Sequence, residues 1–151
     1  MGLDMYLNKR IYIGANYEHR NVNGLIKLTK GEENTPIDVD FKKVTYIIEQ
    51  AGYWRKANHI HQWLVENVQD GEDDCKEYFV EEAKLQELLD ICKKIKEDHE
   101  LAAELLPCQA GFFFGGTEYD EYYFQNIDYT ITILEEALKD KSADYYYESS
   151  W

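Results

Sequence analysis

The sequence predicts an α+β fold: a small mixed or antiparallel sheet of short strands packed against three main helices. Three observations predict it. Period-two alternation opens the chain, with Leu3, Met5 and Leu7 set between Asp4, Tyr6 and Asn8. Two later segments carry apolar residues at spacings of three and four, the period of a helix. Short β-branched or aromatic runs punctuated by Gly, Asn and Asp lie between them.

In order, residues 3–13 read as a half-buried strand, with a bulge at Lys9-Arg10 before Ile11 and Ile13 resume the pattern. Residues 14–23 are a polar loop. Residues 25–28 form a second short strand, and Gly31, Asn34 and Pro36 make 29–40 a loop. Residues 44–48 favour strand, with a helix continuing toward Trp63 as the alternative. Tyr53, Ala57, Ile60, Leu64 and Val68 form a helical stripe, so 54–68 reads as a helix ended by Gly71. Residues 78–80 are a short strand. The clearest helix is 81–96, with Leu85, Leu88, Leu89, Cys92 and Ile95 on one face. A helical turn follows at 101–106, stopped by Pro107. Residues 111–116 read as an aromatic strand between glycines. Residues 125–138 form the last helix, which starts sooner if Asp120 caps it. The polar tail 139–151 is left either loose or docked as an edge strand.

The 151 residues suit a single domain, 1–151, with no internal repeat or dividing linker. Three cysteines without a CxxC pair fit reduced thiols rather than a disulfide framework. No apolar run reaches membrane-span length and no signal peptide is read, so the expectation is a cytoplasmic protein with no membrane contact. Net charge is −14, from 30 Asp+Glu against 16 Lys+Arg. Such a surface repels nucleic acid, so direct nucleic-acid binding is not expected. Partners should be basic proteins, or a small anionic ligand held where the charge is locally reversed. Between residues 117 and 151 nine acids meet two lysines, which concentrates half of the net charge there.

One segment does reverse it. Residues 53–63 hold two of three tryptophans, two of four histidines and one of three arginines. If the segment is helical, Arg55, His59 and Gln62 share a face. Arg55 then offers a bidentate fork and His59 a second donor, with Lys56 beside them and Trp54 and Trp63 as stacking surfaces. Phe112 and Phe114, on one side of the aromatic strand, wall the pocket. The competing reading is an exposed polar face with both tryptophans in the core. His59 and His61 cannot share a metal on a helix, because residues two apart point about 200° apart. Residues 70–74 do not fit a calcium loop, and 111–116 is not a phosphate loop. Cys75 sits beside two acids, Cys92 lies on an apolar stripe, and no GxSxG occurs, so no catalytic residue, metal site or cofactor is assigned.

The opening Met1-Gly2-Leu3-Asp4-Met5-Tyr6-Leu7, the core of residues 53–63, Gly111-Phe112-Phe113-Phe114-Gly115 and Tyr119-Asp120-Glu121-Tyr122-Tyr123-Phe124 together resemble a family of small proteins carried by bacteriophages, prophages and mobile elements. The resemblance runs nearly the whole length. It implies a phage setting, in which small accessory proteins often antagonise host defence, and carries over no catalytic residue. The expected function is therefore non-catalytic sequestration of a small anionic, nucleotide-like ligand, compatible with a homo-oligomer. Two alternatives stand beside it. One is an acidic DNA-mimic or protein-binding inhibitor of a host nuclease or CRISPR/restriction protein, using Asp128, Glu135, Glu136 and Asp140. The other is a small nucleotide-processing enzyme with His59 or His61 as base and Asp120 or Glu121 as acid.

Overall fold

The computed structural model describes residues 2–14 and 22–151. The elements are β1 (Asp4–Tyr12), β2 (Leu28–Lys30), β3 (Thr35–Ile37), β4 (Tyr46–Arg55), α1 (Asn58–Val68), β5 (Tyr78–Val80), α2 (Glu82–Glu97), α3 (Ala102–Leu105), α4 (Glu121–Ala137) and β6 (Asp144–Ser150). β4, β1, β6 and β5 lie side by side in that order, all neighbours antiparallel. β2 and β3 make a separate hairpin. The fold is α+β, as the alternation and the helical stripes predict.

Alternation decides which sheet face is covered. Leu3, Met5 and Leu7 point inward with Trp54, Tyr145, Tyr147 and Val80, and all are buried. The helices stack on that face. Leu85, Leu88, Leu89, Cys92 and Ile95 of α2 meet Ile127, Ile131 and Leu134 of α4 in one continuous core. Lysines of α2 tie the two helices outside it, Lys93 to Glu135 at 2.7 Å and Lys96 to Asp128 at 2.7 Å. Asp120 caps α4 by accepting from the Tyr123 N–H at 3.0 Å, so the helix starts at Glu121 rather than Gln125. Among the described residues, no helix is long and apolar enough to cross a membrane.

Five other expectations change. The helix expected over 54–68 is two elements, because β4 continues to Arg55 and α1 begins only at Asn58. Trp54 alternates inward with Gly52 as a strand residue, and the chain turns at Lys56, whose φ is +57°. The stripe that began at Tyr53 was half accident, since a four-residue step also bridges a strand end and a helix start. The loop expected over 29–40 contains the β2–β3 hairpin, turned by Gly31 and Asn34 at positive φ, and the strand expected at 25–28 starts at Leu28. Residues 111–116 form a turn, closed by the Phe114 N–H donating to the Gly111 carbonyl at 3.2 Å, not a strand. The segment 139–151 contains β6, paired on both sides by β1 and β5, so it is an interior strand and not an edge. The loop expected over 14–23 falls largely on residues outside those described.

Candidate functional site

Asn58 builds the site. It is the first residue of α1 and is buried. Its Nδ2 donates to the carbonyls of Phe114 (3.0 Å) and Gly116 (2.8 Å), and its Oδ1 accepts from the Gln109 N–H (2.9 Å). One side chain thus pins the 107–120 loop to the start of α1. Two further backbone bonds close the same corner: Leu3 N–H to the Phe113 carbonyl (3.0 Å) and Lys56 N–H to the Leu3 carbonyl (2.7 Å). Gly115 packs on Lys56, and a Cβ there would lie 3.0 Å from the Lys56 Cβ. Gly2 lies against the far end of the same side chain, where a Cβ would lie 3.1 Å from Cε.

At this corner Arg55 and Lys56 are exposed, and neither makes an ion pair among the described residues. Asp4 lies opposite Arg55 in the strand register, but its carboxylate accepts from the Tyr53 hydroxyl at 2.5 Å. The Arg55 carbonyl accepts from the Tyr122 hydroxyl, which fixes the backbone beneath the guanidinium. Phe112 is 95% exposed on the neighbouring turn, edge-on to Phe113 at 4.8 Å.

The other expected residues go elsewhere. Trp54 and Trp63 are in the core. The Trp54 Nε1 donates to Thr130 Oγ1 at 2.8 Å and its ring meets Tyr129 edge-on. Gln62 donates to Glu66 at 2.6 Å on the helix surface. Phe114 is half-buried between His61 and Trp151. The clamp of Arg55 and His59 on one helical face does not form, because the two lie on different elements.

His59 is only 3% exposed, and its ring stacks on Tyr123 with centroids 4.1 Å apart. Burial pushes the imidazole down to about 3, so it is neutral at pH 7. Its Nε2 has no hydrogen-bond partner among the described residues. A cleft of about 60 Å³ lies over it, lined also by Lys56, Asn58, Cys108, Glu118, Asp120 and Tyr122. Burial, then Asp120 and Glu118, raise the Cys108 thiol above its ordinary value, which opposes a thiolate. Among the described residues no three His, Cys, Asp or Glu side chains are grouped to hold a metal ion.

His61 is fully buried in a different constellation. Its Nδ1 is 2.7 Å from the Tyr147 hydroxyl and its Nε2 is 2.9 Å from Asp73 Oδ2, while Asp73 Oδ1 accepts from Trp151 Nε1 at 3.1 Å. Burial raises the Tyr147 hydroxyl well above its usual value. This chain of bonds ties α1 to β6 and the loop before β5. Sequence reasoning missed it, because its members are 12 and 86 positions from His61. It also missed Asn58, although an Asn ahead of an apolar helical run is a recognisable signal for a helix start.

No family model matches this chain, and no curated protein or solved structure does either.

Proposed function

We propose that the protein is a non-catalytic binding protein that takes a small anionic ligand with a planar group, of the nucleotide kind, at the corner formed by Arg55, Lys56 and Phe112. The observation that carries this is two adjacent exposed cations without an acid partner among the described residues, in a chain of net charge −14. A phosphate takes the guanidinium fork and the ammonium, and a base stacks on the open Phe112 ring. Asn58 and Gly115 hold the two halves of the corner together. Trp54, Trp63, Gln62, His59 and Phe114 are engaged elsewhere and do not touch the ligand in this reading. In the phage setting that the sequence resemblance implies, such a protein acts by sequestration.

Three observations favour this over the alternatives. His61 is sealed between Tyr147 and Asp73, and burial that pushes His59 down to about 3 makes it a poor acceptor for a substrate proton. Cys108 and Cys92 are both raised, the latter to about 12 by burial. The acids counted for DNA mimicry each carry a lysine: Asp128 with Lys96, Glu135 with Lys93, Glu136 with Lys139, and Asp140 with Lys9. A neutralised row is a poor copy of a phosphate backbone.

Thermal shift and calorimetry with a panel of nucleotides and cyclic dinucleotides test the proposal. A ligand at 100 times its dissociation constant stabilises the fold by ~2.7 kcal/mol. Arg55→Ala and Lys56→Ala should each abolish the shift while leaving the unliganded melting temperature in place. Absence of any shift across the panel refutes the ligand class.

A further inference from the structure

The ligand corner opens onto the sheet face opposite Leu3, Met5 and Leu7. Strand alternation puts Asp4, Tyr6 and Asn8 on that face. The register adds Arg55 and Tyr53 from β4, and Glu148 and Tyr146 from β6. Tyr6 and Tyr53 are direct partners across β1 and β4, and their rings meet at 5.4 Å, tilted by 41°. Both are half-buried, so the pair reaches solvent. On its other side Tyr6 faces Glu148, also half-buried. The Glu148 Oε1 accepts from the Asn8 Nδ2 at 3.1 Å, which leaves Oε2 and a second lone pair on Oε1 without a donor among the described residues. Across the strands from β4 to β6 the order is therefore cation, two rings, acid, over roughly 10 Å. Tyr146, the next ring along, is already covered by the Arg10 guanidinium at 4.0 Å and adds no further seat.

The two cations join this face to the aromatic turn. Arg55 leaves β4 on the same side as Tyr53, two residues away. Lys56 packs against Gly115, in the turn that carries Phe112. A phosphate held by both thus has an aromatic surface on either hand, Phe112 on the turn and the Tyr6–Tyr53 pair on the sheet. A phosphodiester with a base on each side matches that arrangement, whereas a mononucleotide leaves one surface empty. The acid beyond the tyrosines selects the second base. A carboxylate accepts two N–H groups side by side, and guanine presents such a pair at N1 and N2. Adenine and cytosine set one amino group beside an acceptor, and uracil sets one N–H between two carbonyls. A longer strand is disfavoured, because its further phosphates would meet a chain of net charge −14.

We infer that the ligand of this corner is a dinucleotide: its phosphate on Arg55 and Lys56, one base on Phe112, and a guanine on the Tyr6–Tyr53 pair with its N1–H and N2–H donating to Glu148. The inference rests on the nucleotide site proposed above and adds to it the length of the ligand and the identity of one base.

Calorimetry with GpG, ApA and GMP tests it. GpG should bind at least about tenfold tighter than ApA, the discrimination of one bidentate base contact. It should also bind at least about tenfold tighter than GMP, the effect of one more stacked base. Glu148→Gln keeps the size of the side chain and should bring GpG to the level of ApA without weakening ApA. Tyr6→Ala should weaken GpG about tenfold or more. Circular dichroism checks that both variants stay folded. A wild type that binds GpG no better than ApA or GMP, with Arg55→Ala still abolishing that binding, overturns the inference and leaves the nucleotide site standing. A Glu148→Gln protein that keeps the full preference for GpG overturns it too, as does an oligonucleotide ending in GpG that binds more tightly than GpG itself. Failure of every nucleotide to bind removes both the inference and the site it rests on.

Discussion

His59 should make the protein acid-labile in a way that one substitution removes. The imidazole is neutral in the fold, pushed down to about 3 by burial, whereas in the unfolded chain it protonates near 6.5. The unfolded state therefore binds more protons below 6.5, and stability falls as pH falls through the window from 6.5 to 3. Each pH unit inside that window costs about 1.4 kcal/mol. Between pH 7.5 and pH 5 the loss from this residue comes to about 2 kcal/mol, and by pH 4 to about 3.3 kcal/mol. His59→Phe keeps a ring against Tyr123 and has nothing to titrate. Urea unfolding of both proteins at each pH isolates the histidine. Asp74, Asp140 and Glu135 are all held below the ordinary carboxylate range, so they also lose stabilisation as pH falls. They do so equally in both proteins and cancel. The gap between wild type and variant should move by about 2 kcal/mol in favour of the variant from pH 7.5 to pH 5. A gap constant within about 0.5 kcal/mol would refute the burial argument. So would an imidazole NMR titration centred near the ordinary histidine value.

Three further outcomes are expected. Asn58→Asp turns a two-bond donor into a carboxylate oxygen facing the Phe114 and Gly116 carbonyls; it should cost about 3 kcal/mol or more and deprotect the 107–120 amides in hydrogen exchange. Gly52→Ala drives a methyl to 2.8 Å from the Ile133 side chain, and the overpacking should cost about 1–3 kcal/mol in thermal unfolding. With a thiol reagent on native protein, Cys75 should react first and Cys108 more slowly, while Cys92 should react only on unfolding; rapid loss of all three thiols would contradict the burial of α2.

The layers of the fold were legible where one physical signal dominated. Leu3, Met5 and Leu7 alternate and all point inward, at the start of β1 and along it. Leu85, Leu88, Leu89, Cys92 and Ile95 share a stripe and are all core. The signal failed where two periods overlap. Tyr53 and Ala57 fit a helical step, yet a strand end and a positive-φ turn at Lys56 lie between them. That error put Arg55 on the helix beside His59, whereas the strand end at Arg55 separates the two. At the candidate site, exposed Arg55 and Lys56 could be anticipated from composition, since lone cations in an acidic chain are conspicuous. The inward direction of Trp54 could not, because it depends on Thr130, 76 positions away, meeting the indole. Asp73, His61, Tyr147 and Trp151 are similarly joined only by the topology, and β6 lying between β1 and β5 is what brings them together.

That strand order also constrains how the molecule can be made. β1 has β6 as its inner neighbour, so during translation its inner edge waits until residue 150 has left the ribosome. At ordinary elongation rates the intervening stretch of about 130 residues takes roughly 7–26 s to synthesise. For that time a nascent chain exposes Met5 and Leu7 beside an unzipped edge. A chaperone that holds extended apolar segments would find β1 an early and prolonged client, and a ribosome stalled before codon 144 would display a chain unable to complete its sheet.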